Sequence, residues 1–163
     1  MGTGISGIYY TSRGSKVVHH GAMIHSFDGE FTANYKTGKL SKIKSGGHGQ
    51  SCIDLMDKNG LKYKITKTYP NGVRVGYVED HKDKRKRSGN NQSWFPKNWT
   101  QKDMVRAGEH VSKLKSNKHT KDGVLMYGVY KGVRVGVIRT NGHIATIFPD
   151  SNQSGLSKKR RKK

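Results

Sequence analysis

The side chains able to do chemistry in this chain are its eight histidines and its 32 lysines and arginines, the latter set against only 11 carboxylates. So many histidines invite a metal reading, but they lack the close carboxylates and the tight spacing of a zinc site. The adjacent pair His19 and His20 would point to different sides of a strand or a helix. No metal centre and no cofactor is therefore expected. The alternative is proton transfer, because imidazole gains and loses its proton near neutral pH. Two imidazoles can take the proton from a ribose 2′-hydroxyl and return one to the leaving 5′-oxygen, while a lysine balances the charge that builds on phosphorus. Composition does not say which two.

The charge says what the partner is. A formal +21 on 163 residues costs self-repulsion in the compact state and is kept where the partner is a polyanion, nucleic acid before an anionic membrane. The run Lys158-Lys159-Arg160-Arg161-Lys162-Lys163 carries six of these charges and reads as a solvated, phosphate-seeking tail. That is less than a third of the excess, so the folded part is basic too. No apolar run approaches the roughly 20 residues of a bilayer crossing, and no stable membrane association is expected. The single cysteine, Cys52, cannot brace the fold by an intrachain disulfide. The opening Met-Gly-Thr-Gly-Ile-Ser fits an acylation pattern only formally, and no secretory signal is read there.

These groups need elements to position them. Residues 1–24 are rich in Gly, Ser and His and read as a loosely packed lead-in with one edge strand at Gly7 to Thr11. Leu61 to Thr68 alternates, Tyr69-Pro70-Asn71-Gly72 is a turn, and Val73 to Val78 alternates again, which predicts a β-hairpin. His81 to Asn91 is too polar to be buried and is expected as a functional loop. Thr100 with Asp103 three residues on marks a helix start, and Met104, Ala107, Val111 and Leu114 follow at helical spacing. Val124 to Tyr130, Val133 to Arg139 and His143 to Phe148 alternate, joined by Lys131-Gly132 and Asn141-Gly142. The last pair is a strong two-residue hairpin signal, so an antiparallel meander packs on the helix and the class is α+β. Asn71 to Val78 also echoes Lys131 to Ile138, as would two similar β units facing one another with a cleft between them.

Four segments in order choose among the histidines. They are Met23-Ile-His25-Ser-Phe-Asp-Gly29-Glu-Phe, Ser45-Gly46-Gly47-His48-Gly49, Ser93-Trp-Phe-Pro96-Lys-Asn-Trp99-Thr opening a helix, and Asn141-Gly142-His-Ile-Ala-Thr146-Ile-Phe148-Pro149. Together, over about residues 23 to 150, they resemble the EndoU endoribonuclease family. The likeness is greatest to the bacterial branch that supplies C-terminal toxin domains of contact-dependent inhibition and other polymorphic toxins. The resemblance implies an EndoU-like domain over residues 25–150 and a basic flexible tail over 151–163. It implies His25 and His48 as the catalytic pair, with His48 preferred as base and His25 as acid. Thr146 would contact the scissile phosphate or the base, and Ser93 and Phe148 would contact substrate.

Two departures stand out. Phe148 lies where family members often carry Tyr, so stacking survives and a phenolic hydrogen bond does not. The family's catalytic lysine falls just before the Ser/Thr-x-Phe-Pro segment, and Gln92 occupies the adjacent position. Lys86 or Lys84, from the charged loop, must then supply the cation. His81, His110, His119 and His143 read as structural, and Trp94, Phe95 and Trp99 as a hydrophobic plug where the helix begins. The resemblance thus implies a metal-independent endoribonuclease toxin that leaves a 2′,3′-cyclic phosphate. Its substrate would be tRNA, its partner an acidic immunity protein, and its place of action the cytoplasm of a target cell. The rival is a basic RNA-binding module without catalysis, in which the histidines are incidental.

Overall fold

The computed structural model describes residues 8–9 and 18–155. Its elements in chain order are β1 (Ile8–Tyr9), β2 (Val18–His19), α1 (His20–Phe27), β3 (Glu30–Ala33), β4 (Leu40–Ser45), α2 (Gln50–Asn59), β5 (Tyr63–Thr68) and β6 (Arg74–Val78). A single 3₁₀ turn follows at Lys84–Arg87, then β7 (Gln92–Trp94), α3 (Gln101–Lys113), β8 (Met126–Tyr130), β9 (Val133–Thr140) and β10 (His143–Pro149). The class is α+β as expected, with the strands in three sheets. Five strands run in the order β1-β2-β10-β9-β8, three in the order β5-β6-β7, and β3 and β4 form a separate hairpin.

The echo between residues 71–78 and 131–138 has a structural counterpart. β6 is the middle strand of the three-stranded sheet and β9 is flanked by β8 and β10 in the five-stranded one. Both send valines into one core, Val73 and Val75 from the first unit and Val133, Val135 and Val137 from the second, where they meet Met104, Val105, Ala107 and Val111 of α3. Side chains alternate along a strand, so Val78 of β6 faces the other way. It joins Ile43, Cys52, Ile53, Met56 and Trp94 in a second core under α2. The α3 start is the capping box the sequence predicts: the Thr100 hydroxyl accepts from the Asp103 amide, and the Asp103 carboxylate accepts from the Thr100 amide. At the Asn141-Gly142 turn both φ values are positive, 53° and 78°, as a two-residue hairpin requires.

Several expectations need correction. α1, α2 and the β3–β4 hairpin are not foreseen by periodicity. Val124 and Leu125 are exposed and precede β8 instead of opening it. The charged stretch is not wholly solvated, because His81 is only 2% exposed. The expected lead-in ends inside α1, whose Met23 is buried in the main core. The edge strand expected at Gly7 to Thr11 is met by Ile8–Tyr9 at the edge of the five-stranded sheet, the other residues of that span lying outside the described ones. The expected tail begins inside packed structure: Gln153 is buried, its Oε1 accepts from the Arg134 amide and Asn71 Nδ2, and its Nε2 donates to the Arg134 and Asp150 carbonyls. Lys158 to Lys163 lie outside the described residues.

The Gln153 arrangement yields a test of where the domain ends. Gln153→Ala leaves the Arg134 amide of β9 without its partner and should cost about 1–3 kcal/mol, read as a lower urea midpoint at unchanged slope. A chain ending at Asp150 should lose at least as much.

Candidate active site

The site is built on the C-terminal turn of α1. A helix ends with carbonyls that have no partner within it, and here three consecutive ones are taken by one loop. The amides of Gly47, His48 and Gly49 donate to the carbonyls of His25, Ser26 and Phe27 at 3.0, 2.6 and 2.8 Å. The approach is close enough to demand glycine. Gly46 has φ +68°, and a Cβ there would sit 2.0 Å from the His25 carbonyl oxygen and 3.1 Å from its imidazole Cδ2. The Gly46-Gly47 pair is thus a turn, and one that brings the backbones of His25 and His48 together.

Strand β7 locks the loop from the other side. The Phe95 amide donates to the His48 carbonyl at 2.7 Å, and His48 Nδ1 lies 2.7 Å from the Ser93 carbonyl oxygen. A carbonyl can only accept, so Nδ1 carries the ring hydrogen and Nε2 keeps its lone pair. Gln92 is fully buried and donates from Nε2 to the carbonyls of Gly46 and Gly47 at 3.3 and 3.1 Å. The residue adjacent to the resemblance's lysine position therefore clamps the turn.

A cavity of about 310 Å³ opens between the three-stranded and five-stranded sheets. Its walls include His48, Lys86 of the 3₁₀ turn, Ser93 of β7, Tyr127 of β8, and Thr146 and Phe148 of β10. Lys86, half-buried, is thus the loop lysine in the cleft, while Lys84 is exposed and does not line it. Ser93 lines the cavity, but its hydroxyl hydrogen is already donated to the Pro149 carbonyl at 2.8 Å, so it offers a substrate lone pairs alone. His25 is not among the cavity-lining residues. Its ring stands over Gly46 with Nδ1 3.6 Å from a Glu30 carboxylate oxygen. Ser26 fixes β10 to this frame, because its hydroxyl accepts from the Ile147 amide between Thr146 and Phe148.

The electrostatics follow from burial and crowded cations. Burial drives the His48 imidazole down to about 3, opposed by its bond to the Ser93 carbonyl and assisted by the charges of Lys86, His25 and His81. His48 is accordingly neutral at physiological pH. Burial also lowers the Lys86 ammonium, with Asp83 opposing and Arg85 assisting. His81 serves the loop that carries Lys86: its Nδ1 accepts from the Asp83 amide, its carbonyl accepts from Arg87 Nε, and it bridges to Ile43. That is the structural role expected of it. Buried Phe95 and Trp99, stacked at 4.9 Å, form the plug in the main core, whereas Trp94, expected with them, is buried in the second core under α2.

The family model described as bacterial EndoU nuclease matches residues 19–151. The chain belongs to the bacterial EndoU nuclease family. It is an EndoU-like endoribonuclease, which sets aside the reading as a binding module without catalysis. No curated protein and no solved structure matches the chain. Within this EndoU domain the four segments singled out in the sequence converge on the loop, the cleft walls and the helix start just described.

Sequence reasoning missed Tyr127, Asn91 and Asp150, all of which line the EndoU cleft. Tyr127 had a signal. In the meander register Gly136 pairs with both Tyr127 and Phe148, and a glycine inside a strand marks a close approach. A Cβ at Gly136 would meet the Phe148 ring at 2.6 Å. The ring lies across the glycine, edge-on to Tyr127 with centroids 6.4 Å apart and 5.9 Å from the His48 ring. Arg134 covers the Tyr127 ring at 4.3 Å, and burial beside Asp150 raises the phenol above its usual range.

The buried imidazoles predict a pH response of stability. His48 is held near 3 and His81 near 4 against an ordinary 6.5, so below about pH 6.5 the unfolded chain binds protons that the folded chain refuses. Stability from these groups is intact above pH 6.5 and falls on acidification by up to about 1.4 kcal/mol per pH unit for each. Urea unfolding at pH 7, 6 and 5 should show this slope, and His48→Gln should remove its share.

Proposed function

We propose that this endoribonuclease cleaves RNA by metal-independent transesterification with His48 as base, His25 as acid and Lys86 as the charge-balancing cation. The observation that carries the reading is the bond from His48 Nδ1 to the Ser93 carbonyl, which leaves Nε2 as the acceptor in a cavity shared with Lys86. His48 Nε2 takes the proton of the ribose 2′-hydroxyl, and the 2′-oxygen attacks phosphorus. The bond to the 5′-oxygen breaks, and that oxygen leaves with a proton from His25, whose ring is held on its Nδ1 side by Glu30. The products are a 2′,3′-cyclic phosphate and a 5′-hydroxyl. Lys86 faces the negative charge gathering on the phosphorane oxygens, and its partial burial strengthens that attraction. Thr146 contacts the phosphate or the base, and Phe148 supplies an aromatic face. Lys84, exposed on the same 3₁₀ turn, is left the lesser part of an outer phosphate contact.

The setting is part of the same proposal. A +21 chain resembling polymorphic-toxin domains is delivered to a target cell, acts on tRNA in its cytoplasm, and is restrained by an acidic immunity protein. Opposite charge makes such an inhibitor fast to associate, and the rate should fall steeply with added salt. On total RNA, tRNA should be the fraction that disappears, with fragments ending in 2′,3′-cyclic phosphate.

The assignments are separable by mutation. His48→Ala and His25→Ala should each lower cleavage roughly 10²- to 10⁴-fold while RNA retention on a filter persists. Lys86→Ala should cost roughly 10²- to 10³-fold, and Lys84→Ala little. Excess EDTA should leave the wild-type rate unchanged. Near-wild-type cleavage by a folded His25 or His48 variant, or rescue of a chelated enzyme by manganese alone, would refute the mechanism.

A further inference from the structure

The most conspicuous surface outside the cleft is the β3–β4 hairpin. Between Glu30 and Ser45 it carries Lys36, Lys39, Lys42 and Lys44, all exposed, against Glu30 as its one acid. At its turn stands Tyr35, 91% exposed. An aromatic ring so bare gives up its burial energy, yet the turn that displays it is well built. Asn34 Oδ1 accepts from the amides of Lys36 and Thr37 at 2.8 and 3.1 Å. The Asn34 amide donates to the Lys39 carbonyl, and the Gly38 amide to that of Asn34. The Lys39 amide donates to the Thr37 hydroxyl. Tyr35 is thus held out on a hydrogen-bonded frame.

The base of the hairpin is joined to the active site. Glu30 pairs with Ser45 in the ladder and faces His25, and Ser45 leads directly into the Gly46-Gly47-His48 turn. Ile43 bridges to His81, which anchors the loop bearing Lys86. From this base β4 runs six residues, about 20 Å at roughly 3.3 Å per residue. A strand of RNA leaving the cleft past His25 would meet a row of cations and then a free aromatic face.

We infer that the β3–β4 hairpin is a second RNA-binding site, an arm whose lysines hold backbone phosphates and whose Tyr35 stacks on an unpaired base several nucleotides from the cut. It rests on the reading of the cleft as the place of RNA cleavage. The chemistry fits single-stranded RNA: stacking on an exposed ring needs a base out of its duplex and is indifferent to which base. The arm therefore selects loops and unpaired tails without setting the sequence at the scissile bond.

The test compares wild type, Tyr35→Ala, Tyr35→Phe and the fourfold Lys36/Lys39/Lys42/Lys44→Gln variant on three substrates: a dinucleotide too short to reach the arm, a long single-stranded RNA, and the same RNA in a duplex. On the dinucleotide all four proteins should match in kcat/KM. On the long single strand Tyr35→Ala should lose roughly 5- to 100-fold and Tyr35→Phe should retain activity. The lysine variant should show a slope of log affinity against log salt shallower by up to about 2.8, at roughly 0.7 per phosphate contact. On the duplex, Tyr35→Ala should bind as wild type does.

Equal activity of Tyr35→Ala and wild type on the long strand would overturn the inference. So would an unchanged salt slope in the lysine variant, or an equal loss on the dinucleotide, which would place the effect in the cleft. Normal RNA binding by the variants with loss of binding to an acidic protein would reassign the arm to that partner. If wild type cleaves none of the RNAs, the cleft reading fails by itself, and filter retention of the long strand still decides whether Tyr35 and the lysines bind it.

Discussion

Three amides of one loop bonded to three carbonyls at the end of one helix hold this site together. The pairing of Gly47, His48 and Gly49 with His25, Ser26 and Phe27 sets two histidines from different parts of the chain in one backbone frame. Everything else is fastened to that frame. Gln92 grips its turn, Ser93 fixes the His48 tautomer, and Ser26 sets the position of the strand bearing Thr146 and Phe148. None of these contacts is a strong interaction alone, since a typical hydrogen bond contributes only about 1 kcal/mol net. Their value is positional, because each has a backbone group as at least one partner and so ties one element to another.

The charge of the molecule is compatible with a stable fold because it is kept apart from this frame. The two cores hold aliphatic and aromatic side chains, and the hairpin lysines lie on the surface. Among the exceptions, Arg74 is buried and donates to Gln50 Oε1 and the Phe95 carbonyl, and Lys86 is half-buried in the cavity it shares with neutral His48. The desolvation of Lys86 is a standing cost that an anionic substrate relieves. A site that is uncomfortable when empty favours a ligand bearing negative charge, which is the character of a phosphodiester passing to a phosphorane.

The parts of this architecture legible in the sequence are those whose signals are local. The capped α3, the β5–β6 hairpin and the Asn141-Gly142 meander were readable because cap, turn and period lie within a few residues of each other. α1 and α2 were not: α1 is eight residues long, α2 has a glycine at its cap with no side-chain bond, and α1 owes its C-terminal satisfaction to a loop some twenty residues away. The motif segments carried His25, His48, Thr146 and Phe148 into view, and the structure gathers Thr146, Phe148 and His48 in one cavity with His25 on the same frame. That Lys86 and not Lys84 reaches the cavity depends on how buried His81 seats the loop, a tertiary fact. The burial of His81 itself ran against the polarity of its neighbours, and Tyr127 was hidden because its partner Gly136 has meaning only once the strands are in register.

The amide ladder has a mechanical consequence. The two imidazoles belong to one stiff body, the end of α1 with the loop bonded to it, whereas Lys86 belongs to another, a short loop seated by His81 against β4. The separation of the histidine backbones is set by the three amide-to-carbonyl bonds, in which the lysine-bearing loop takes no part. The spacing of the two histidine backbones and the placement of the lysine are therefore fixed by separate sets of contacts, so that a substitution unseating one leaves the other its own supports.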